Sequence, residues 1–176
     1  MRSKYVSLAG LFLIASVVGG AAPWRDLPAC LIGKWTGITV TDPDGNLVGP
    51  EDPNDWGCMG GGASGLPVTA PAGVPVPPPP GLCLLPAYPN PTATATIVRF
   101  TLPSASQVAL IAYGKKGNGP HGAFPVRTLL SGEMAAGVHA VTWDGNDDRG
   151  VRLASGIYRV VMVVGESSVC GDVEIR

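Results

Sequence analysis

Charged residues and histidines are scarce in this chain, and their scarcity excludes several classes of function. The sequence contains 12 Lys and Arg, 13 Asp and Glu and two His, with a formal net charge of -1. Nucleic-acid binding needs clustered Lys and Arg, and the chain has no such cluster. It also contains no nucleophile elbow, phosphate-binding loop or zinc-binding helix motif. We therefore expect a protein that is not an enzyme, binds no nucleic acid and uses no metal or cofactor.

The one long hydrophobic run lies at the N-terminus. Arg2 and Lys4 precede an uncharged run from Tyr5 to Trp24. A positive start followed by such a run is an export signal, and it leaves the rest of the chain outside the cytoplasm. The run is also about 20 residues long, which is enough to cross a bilayer as a helix. We expect residues 1–24 to form an uncleaved membrane anchor, with cleavage near Ala21 as the alternative.

Glycine and proline are abundant between this run and the C-terminal half, with 25 Gly and 18 Pro in the whole chain. Residues 25–66 contain a predicted small β-hairpin with Asp44-Gly45 at its turn, followed by a glycine-rich loop. A two-stranded hairpin alone is marginal in water, so it should lean on the rest of the protein or on a partner. Residues 67–86, with four consecutive prolines, predict an extended arm. The arm either lies across a partner surface or is an inert spacer that lifts the sandwich off the membrane.

Strand patterns dominate residues 87–176. From Thr96 to Leu102 apolar residues alternate with others, and Val98, Phe100 and Leu102 share one face. Similar patterns recur at Gln107–Tyr113, Val126–Leu129, Val138–Trp143 and Val169–Ile175. Ile157–Val164 is apolar on both faces, which predicts an interior strand. Because no helical period competes, the segment predicts a small antiparallel β-sandwich. The predicted core residues are Phe100, Val141, Trp143 and Tyr158.

Short motifs in this segment carry a resemblance to a known family. They are Tyr88-Pro89-Asn90-Pro91, Phe100-Thr101-Leu102-Pro103, Val126-Arg127-Thr128-Leu129, Trp143-Asp144-Gly145 and Ser155-Gly156-Ile157-Tyr158. Together they resemble the FlgD-like immunoglobulin-type domain, a family that includes sorting domains of many secreted Gram-negative proteins. The resemblance implies an all-β immunoglobulin-like sandwich over residues 87–176. It also implies structural roles for His139 and for the acidic turn at Asp144 to Asp148, where calcium binding is left open.

One loop departs from the family pattern. A long insertion, Lys115 to Pro125, stands where the family has a tight turn. An exposed loop of this kind is a predicted partner contact, although an insertion without a role is the alternative. The predicted contact residues are Lys115, Lys116, His121 and Phe124 in this loop, and Trp24, Trp35 and Trp56 in the N-terminal half.

Four cysteines in an exported chain indicate disulfides, and they allow three pairings. Cys170 shares the outer face of its predicted strand with Asp172 and Glu174, so its partner must come from outside the core. Cys83 lies just before the predicted sandwich. We therefore favour pairing Cys83 with Cys170 and Cys30 with Cys58.

These features favour a non-catalytic, membrane-extrinsic accessory subunit that braces a larger membrane protein complex, on the periplasmic side of the bacterial inner membrane. Its layout alone is similar to that of extrinsic subunits of photosynthetic reaction-centre complexes, and no pigment-binding motif supports that assignment. One alternative is a secreted or cell-surface protein whose sandwich serves as a sorting or attachment module. Another is a sandwich that binds a ligand or carbohydrate.

Overall fold

The structure is a computed structural model that describes residues 38–49, 56–59, 81–116 and 122–176. The predicted N-terminal helix, most of the proline-rich arm and the contact candidates Trp24, Trp35 and His121 lie outside these residues, as does Cys30. Within the described ranges, no helix has the length and hydrophobicity needed to cross a membrane.

In the part of the chain that the structure describes, eight strands form two four-stranded sheets, and every strand pairs with its neighbours in antiparallel fashion. The strands are β1 (Gly57–Met59), β2 (Leu82–Tyr88), β3 (Thr96–Leu102), β4 (Ser106–Lys115), β5 (Ala123–Met134), β6 (Gly137–Trp143), β7 (Gly156–Val164) and β8 (Ser167–Ile175). The first sheet has the order β1-β2-β3-β6 and the second has the order β5-β4-β7-β8. The described part of the chain is thus an all-β sandwich, as predicted.

The core lies between the two sheets and follows from the alternation in the sequence. On β3, Val98, Phe100 and Leu102 are fully buried, and their side chains meet those of β4, β7 and β8. Strand β7 is apolar on both faces, because Val160 and Met162 point inward whereas Val161 belongs to a second cluster with Ile111 and Tyr113. The predicted interior position of β7 is therefore confirmed.

The sandwich begins earlier in the chain than residue 87. Strand β2 starts at Leu82, and Leu84 and Ala87 are buried in the core. The last residues of the predicted arm, 67–86, are thus part of a sheet. Pro86 obscured this strand because proline lacks the N–H that a regular ladder requires. The structure accommodates it at an irregularity in the pairing with β3, between Leu85 and Tyr88.

The small hairpin at residues 38–49 leans on the sandwich. Thr41 and Asn90 donate backbone hydrogen bonds to each other's carbonyl oxygens, at 2.8 and 3.2 Å, and the Thr41 hydroxyl donates to the Ala87 carbonyl at 2.6 Å. The turn is closed by the Asp42 carboxylate, which accepts hydrogen bonds from the backbone of Asp44 and Asn46. Of the two supports predicted for this hairpin, the structure therefore provides the sandwich itself.

The structure places Trp56 in the core, which corrects its prediction as a partner contact. Its side chain is 9% exposed, and its indole lies where a Cβ on Gly171 would otherwise be. The Trp56 backbone N–H donates to the Cys170 carbonyl at 3.0 Å, which joins this residue to β8. The missing side chain of Gly171 leaves the space that the indole fills, and sequence spacing alone cannot reveal such a pair.

The described ends of the insertion between β4 and β5 belong to these two paired strands, so its description as a loop that runs from Lys115 to Pro125 is corrected. Lys115 lies opposite Ala123, and the Lys116 N–H donates to the Gly122 carbonyl at 2.8 Å. Two register shifts along the β4–β5 pair let the strands continue past Pro125. Strand β5 thus extends well beyond its predicted ends, whereas β4 extends by one residue at its start and two at its end.

Candidate interaction surface

One lateral edge of the sandwich, at β8, is closed to further strand pairing. The Asn90 amide donates from Nδ2 to the Asp172 carbonyl and accepts at Oδ1 from the Glu174 N–H, both at 2.9 Å. The Thr92 N–H donates to the Glu174 carbonyl, and the Arg176 N–H donates to the Thr92 carbonyl, also at 2.9 Å. Because these backbone N–H and C=O groups are occupied, the C-terminal half of this edge offers no template for a strand from another protein.

The opposite edge of the same sheet is fastened to the acidic turn. The Asp148 N–H donates to the Val126 carbonyl of β5, and the Thr128 N–H donates to the Asp148 carboxylate, both at 3.0 Å. Arg127 of β5 donates from its guanidinium to the Asp147 carbonyl at 2.8 Å. These three bonds hold residues 144–152 against β5, so the turn and the β4–β5 hairpin form one rigid end of the sandwich.

The acidic turn is organised by its own carboxylates. Asp147 accepts hydrogen bonds from the backbone N–H groups of Arg149 and Val151, both at 2.9 Å, and its second oxygen contacts the Arg149 guanidinium. The Val151 N–H and then Arg149 hold the pKa of Asp147 below its usual value. Asp144 likewise accepts from the Asn146 N–H. These carboxylates accept hydrogen bonds from groups of the turn itself, which agrees with the structural role implied by the family resemblance.

No cluster of three or more His, Cys, Asp or Glu side chains suited to a metal ion occurs within the part of the chain that the structure describes. The histidine in that part, His139, stacks on Phe100 with ring centroids 5.1 Å apart. One of its ring nitrogens donates to the Ala135 carbonyl at 2.8 Å. These contacts support the structural role implied for His139.

Exposed apolar and basic side chains lie on the two elements that form this rigid end. Phe124 on β5 is 45% exposed, and Val151 in the turn is 57% exposed. Lys116 is exposed at the end of the hairpin, and the Arg149 side chain is 83% exposed. We call Lys116, Phe124, Arg149 and Val151 the end patch. Large apolar groups held in place by rigid elements, with cations beside them, are features of a protein-contact surface.

The end patch contains two residues from the predicted contact set and two that the sequence reasoning missed. Lys116 and Phe124 were predicted, and Lys115 lies beside them at the end of β4. Arg149 and Val151 were missed because the turn was interpreted as a structural element, with calcium binding left open, and was not considered as a contact surface. The sequence does carry one signal for them. An arginine and an apolar valine stand within residues 144–151, which otherwise consist of Asp, Asn and Gly.

The predicted core residues lie where expected. Phe100 and Trp143 are buried, and Val141 and Tyr158 are partly buried against them. Trp143 and Tyr158 contact edge to face, with ring centroids 5.9 Å apart, and the indole N–H of Trp143 donates to the Asn146 carbonyl. Trp143 thus ties the core to the acidic turn and helps to fix the end patch.

A buried ion pair on the second sheet also escaped sequence analysis. Arg159 on β7 and Asp172 on β8 lie opposite each other, and the guanidinium makes two hydrogen bonds of 2.7 Å to the carboxylate. Their side chains are 8% and 1% exposed. Such pairs fix strand register more reliably than they add stability.

The cysteines are arranged differently from the favoured pairing. Cys83 is disulfide-bonded, and its partner is not Cys170. Cys170 lies on the outer face of β8, as predicted, opposite Val161 in the second sheet. Cys83 lies on the outer face of the first sheet, so the two side chains point away from each other across the sandwich. The predicted Cys83–Cys170 pairing is therefore wrong.

Comparison with known families agrees with the fold. Residues 92–168 match the family model of the FlgD Ig-like domain, and this segment is such a domain, as the sequence motifs indicated. No curated protein and no solved structure matches the chain. A FlgD Ig-like domain suggests a protein-interaction or accessory module.

Proposed function

We propose that this chain is a non-catalytic accessory subunit that contacts a larger membrane protein complex through the end patch of its sandwich. The proposal locates the sandwich on the periplasmic side of the bacterial inner membrane, where the export signal and predicted anchor of residues 1–24 would hold it. The FlgD Ig-like segment supports an interaction role, and the export signal supports the location.

The observation that carries the proposal is the exposure of Phe124 and Val151 on a rigid frame. Isolated exposed apolar residues are common on any surface. Here, however, the two lie on elements joined by the Asp148 hydrogen bonds, and the acidic turn is cross-linked by Asp147. A pre-organised surface loses little conformational entropy on binding.

The charges of the patch indicate the chemistry of the partner. Lys116 and Arg149 are two exposed cations on the same two elements as the apolar pair, and the Asp147 carboxylate is already engaged by Arg149. A partner face with a shallow apolar pocket and acidic groups at its rim would complement this surface. Phe124 would be the central anchor, since aromatic side chains dominate binding energy at interfaces.

The experiment compares complexes extracted from host membranes in mild detergent. A Phe124→Ser, Val151→Ser double variant should leave the high-mass complex and migrate alone on a native gel. Val138→Ser is a matched control, because Val138 is also 57% exposed but lies on β6. That control should remain in the complex. Retention of the double variant, or equal loss of both, would contradict a contact through the end patch.

A second candidate function follows from the same domain type. The FlgD-like resemblance includes sorting domains, so the sandwich could serve as an attachment module of a secreted or cell-surface protein. The starting residue distinguishes the two: intact Met1 in a membrane fraction supports the accessory subunit, and a start near Ala21 in the culture medium supports secretion. The resemblance of layout to photosynthetic subunits gains no further support, and we do not propose it.

A further inference from the structure

The disulfide at Cys83 has a partner that the strand register identifies. Cys83 is on β2 between Leu82 and Leu84, which are both in the core. Since side chains alternate along a strand, Cys83 points to the outer face of its sheet. It is nevertheless only 1% exposed, so its side chain is covered there.

Strand β1 runs antiparallel to β2, with Cys58 directly opposite Cys83. Directly opposed residues in an antiparallel pair have Cα atoms about 4.5 or 5.5 Å apart, and they project their side chains to the same face. Both distances lie within the range of roughly 4.4–6.8 Å that a disulfide spans. Cys170 is excluded by its place on the other sheet.

We propose that Cys58 and Cys83 form a disulfide that fastens β1 to the sandwich. Forming it joins the two sulfur atoms, releases two protons and transfers two electrons to an oxidant. The oxidant is a protein disulfide of the thiol-oxidising kind, which is itself reduced to two thiols. Such oxidants act outside the cytoplasm, where the export signal would deliver the chain.

The consequence of this disulfide is the retention of Trp56. Strand β1 has only three residues, and Trp56 precedes it with a φ of 57°, a left-handed conformation that is unfavourable for a non-glycine residue. Its indole Nε1 is buried and has no hydrogen-bond partner among the residues that the structure describes. The proposed disulfide at Cys58, two residues away, holds Trp56 in the space above Gly171. Trp56 in turn closes one side of the core.

The test is disulfide mapping of the oxidised full-length protein. The sequence has no Lys or Arg between Lys34 and Arg99, so trypsin leaves Cys58 and Cys83 in one peptide, 35–99. Cyanogen bromide then cuts after Met59. If the proposal is correct, fragments 35–59 and 60–99 stay joined until a reductant separates them, which mass spectrometry detects. Fragments that separate without reductant, or Cys83 joined to the tryptic peptide 26–34 that contains Cys30, would overturn it.

Variants supply the second readout. Cys58→Ser and Cys83→Ser should each lower Tm by the same amount, on the order of 10 °C for a loop of this length. Addition of a reductant should cause the same drop in the wild-type chain and no further drop in either variant. Cys170→Ser is the control and should retain both the Cys58–Cys83 link and the reductant-sensitive drop. Full reductant sensitivity in Cys58→Ser would contradict the assignment, even if that variant were less stable.

Discussion

The fit of Trp56 against Gly171 gives the sharpest prediction about the fold. Replacing Gly171 with Ala adds a Cβ that would overlap the Trp56 indole ring. Because Gly171 is buried within β8, and Val173 two residues further along the strand is fully buried, the backbone has little room to shift. The indole must therefore move, and overpacking of this kind costs about 1–3 kcal/mol of unfolding free energy.

The same substitution in a Trp56→Ala background should behave differently. Removing the indole costs about 3–5 kcal/mol on its own, because it leaves a cavity beside β8. With the indole removed, the Cβ of Gly171→Ala meets no ring. Alanine also gives the unfolded chain less backbone entropy than glycine does, which slightly stabilises the folded protein. We therefore expect a coupling energy of about 1–3 kcal/mol between the two substitutions.

The assay is urea unfolding of the four proteins, followed by far-ultraviolet circular dichroism so that the loss of one tryptophan does not alter the signal. Each unfolding free energy comes from linear extrapolation, and an unchanged slope shows that the same surface is exposed in every variant. If Gly171→Ala cost the same with and without Trp56, the indole would not occupy the core position described here.

Two further predictions concern the core and the acidic turn. Trp143→Ala should cost about 3–5 kcal/mol in a urea titration, because Trp143 is fully buried and holds the turn through Asn146; a cost below about 1 kcal/mol would contradict its place in the core. The pKa of Asp147 is lowered in the folded protein, so its stabilising effect is present above the unfolded value of 3.8 and is lost as pH falls through the folded value. The urea midpoint of Asp147→Asn should therefore decline less than that of the wild type below about pH 4, and parallel curves would contradict this role.

Strands with regular alternation were the most predictable part of the structure. Thr96–Leu102 coincides with β3, and Ile157–Val164 falls within β7, because burial on one or both faces leaves a clear pattern in the sequence. Strand β2 was missed because its apolar residues follow four prolines and include Pro86. Local composition there resembles an extended linker, whereas long-range pairing with β3 decides the outcome.

The candidate site was only partly predictable for a related reason. Phe124 and Lys116 stood out as apolar and basic residues in an insertion, but the insertion's strand pairing depends on bulges that have no clear sequence signal. Trp56 was misassigned because burial of a tryptophan near glycines requires a matching space, which Gly171 supplies from a distant strand. Contacts between residues far apart in sequence, rather than local propensity, decided both outcomes.

The most direct test of the account is the state of the native protein in its host. Membranes solubilised in mild detergent would be separated by native electrophoresis, and the protein's apparent mass and first residue would be determined by mass spectrometry. We expect a chain that begins at Met1 and migrates within a larger membrane protein complex. A chain that begins near Ala21 and is recovered alone from the medium would contradict it.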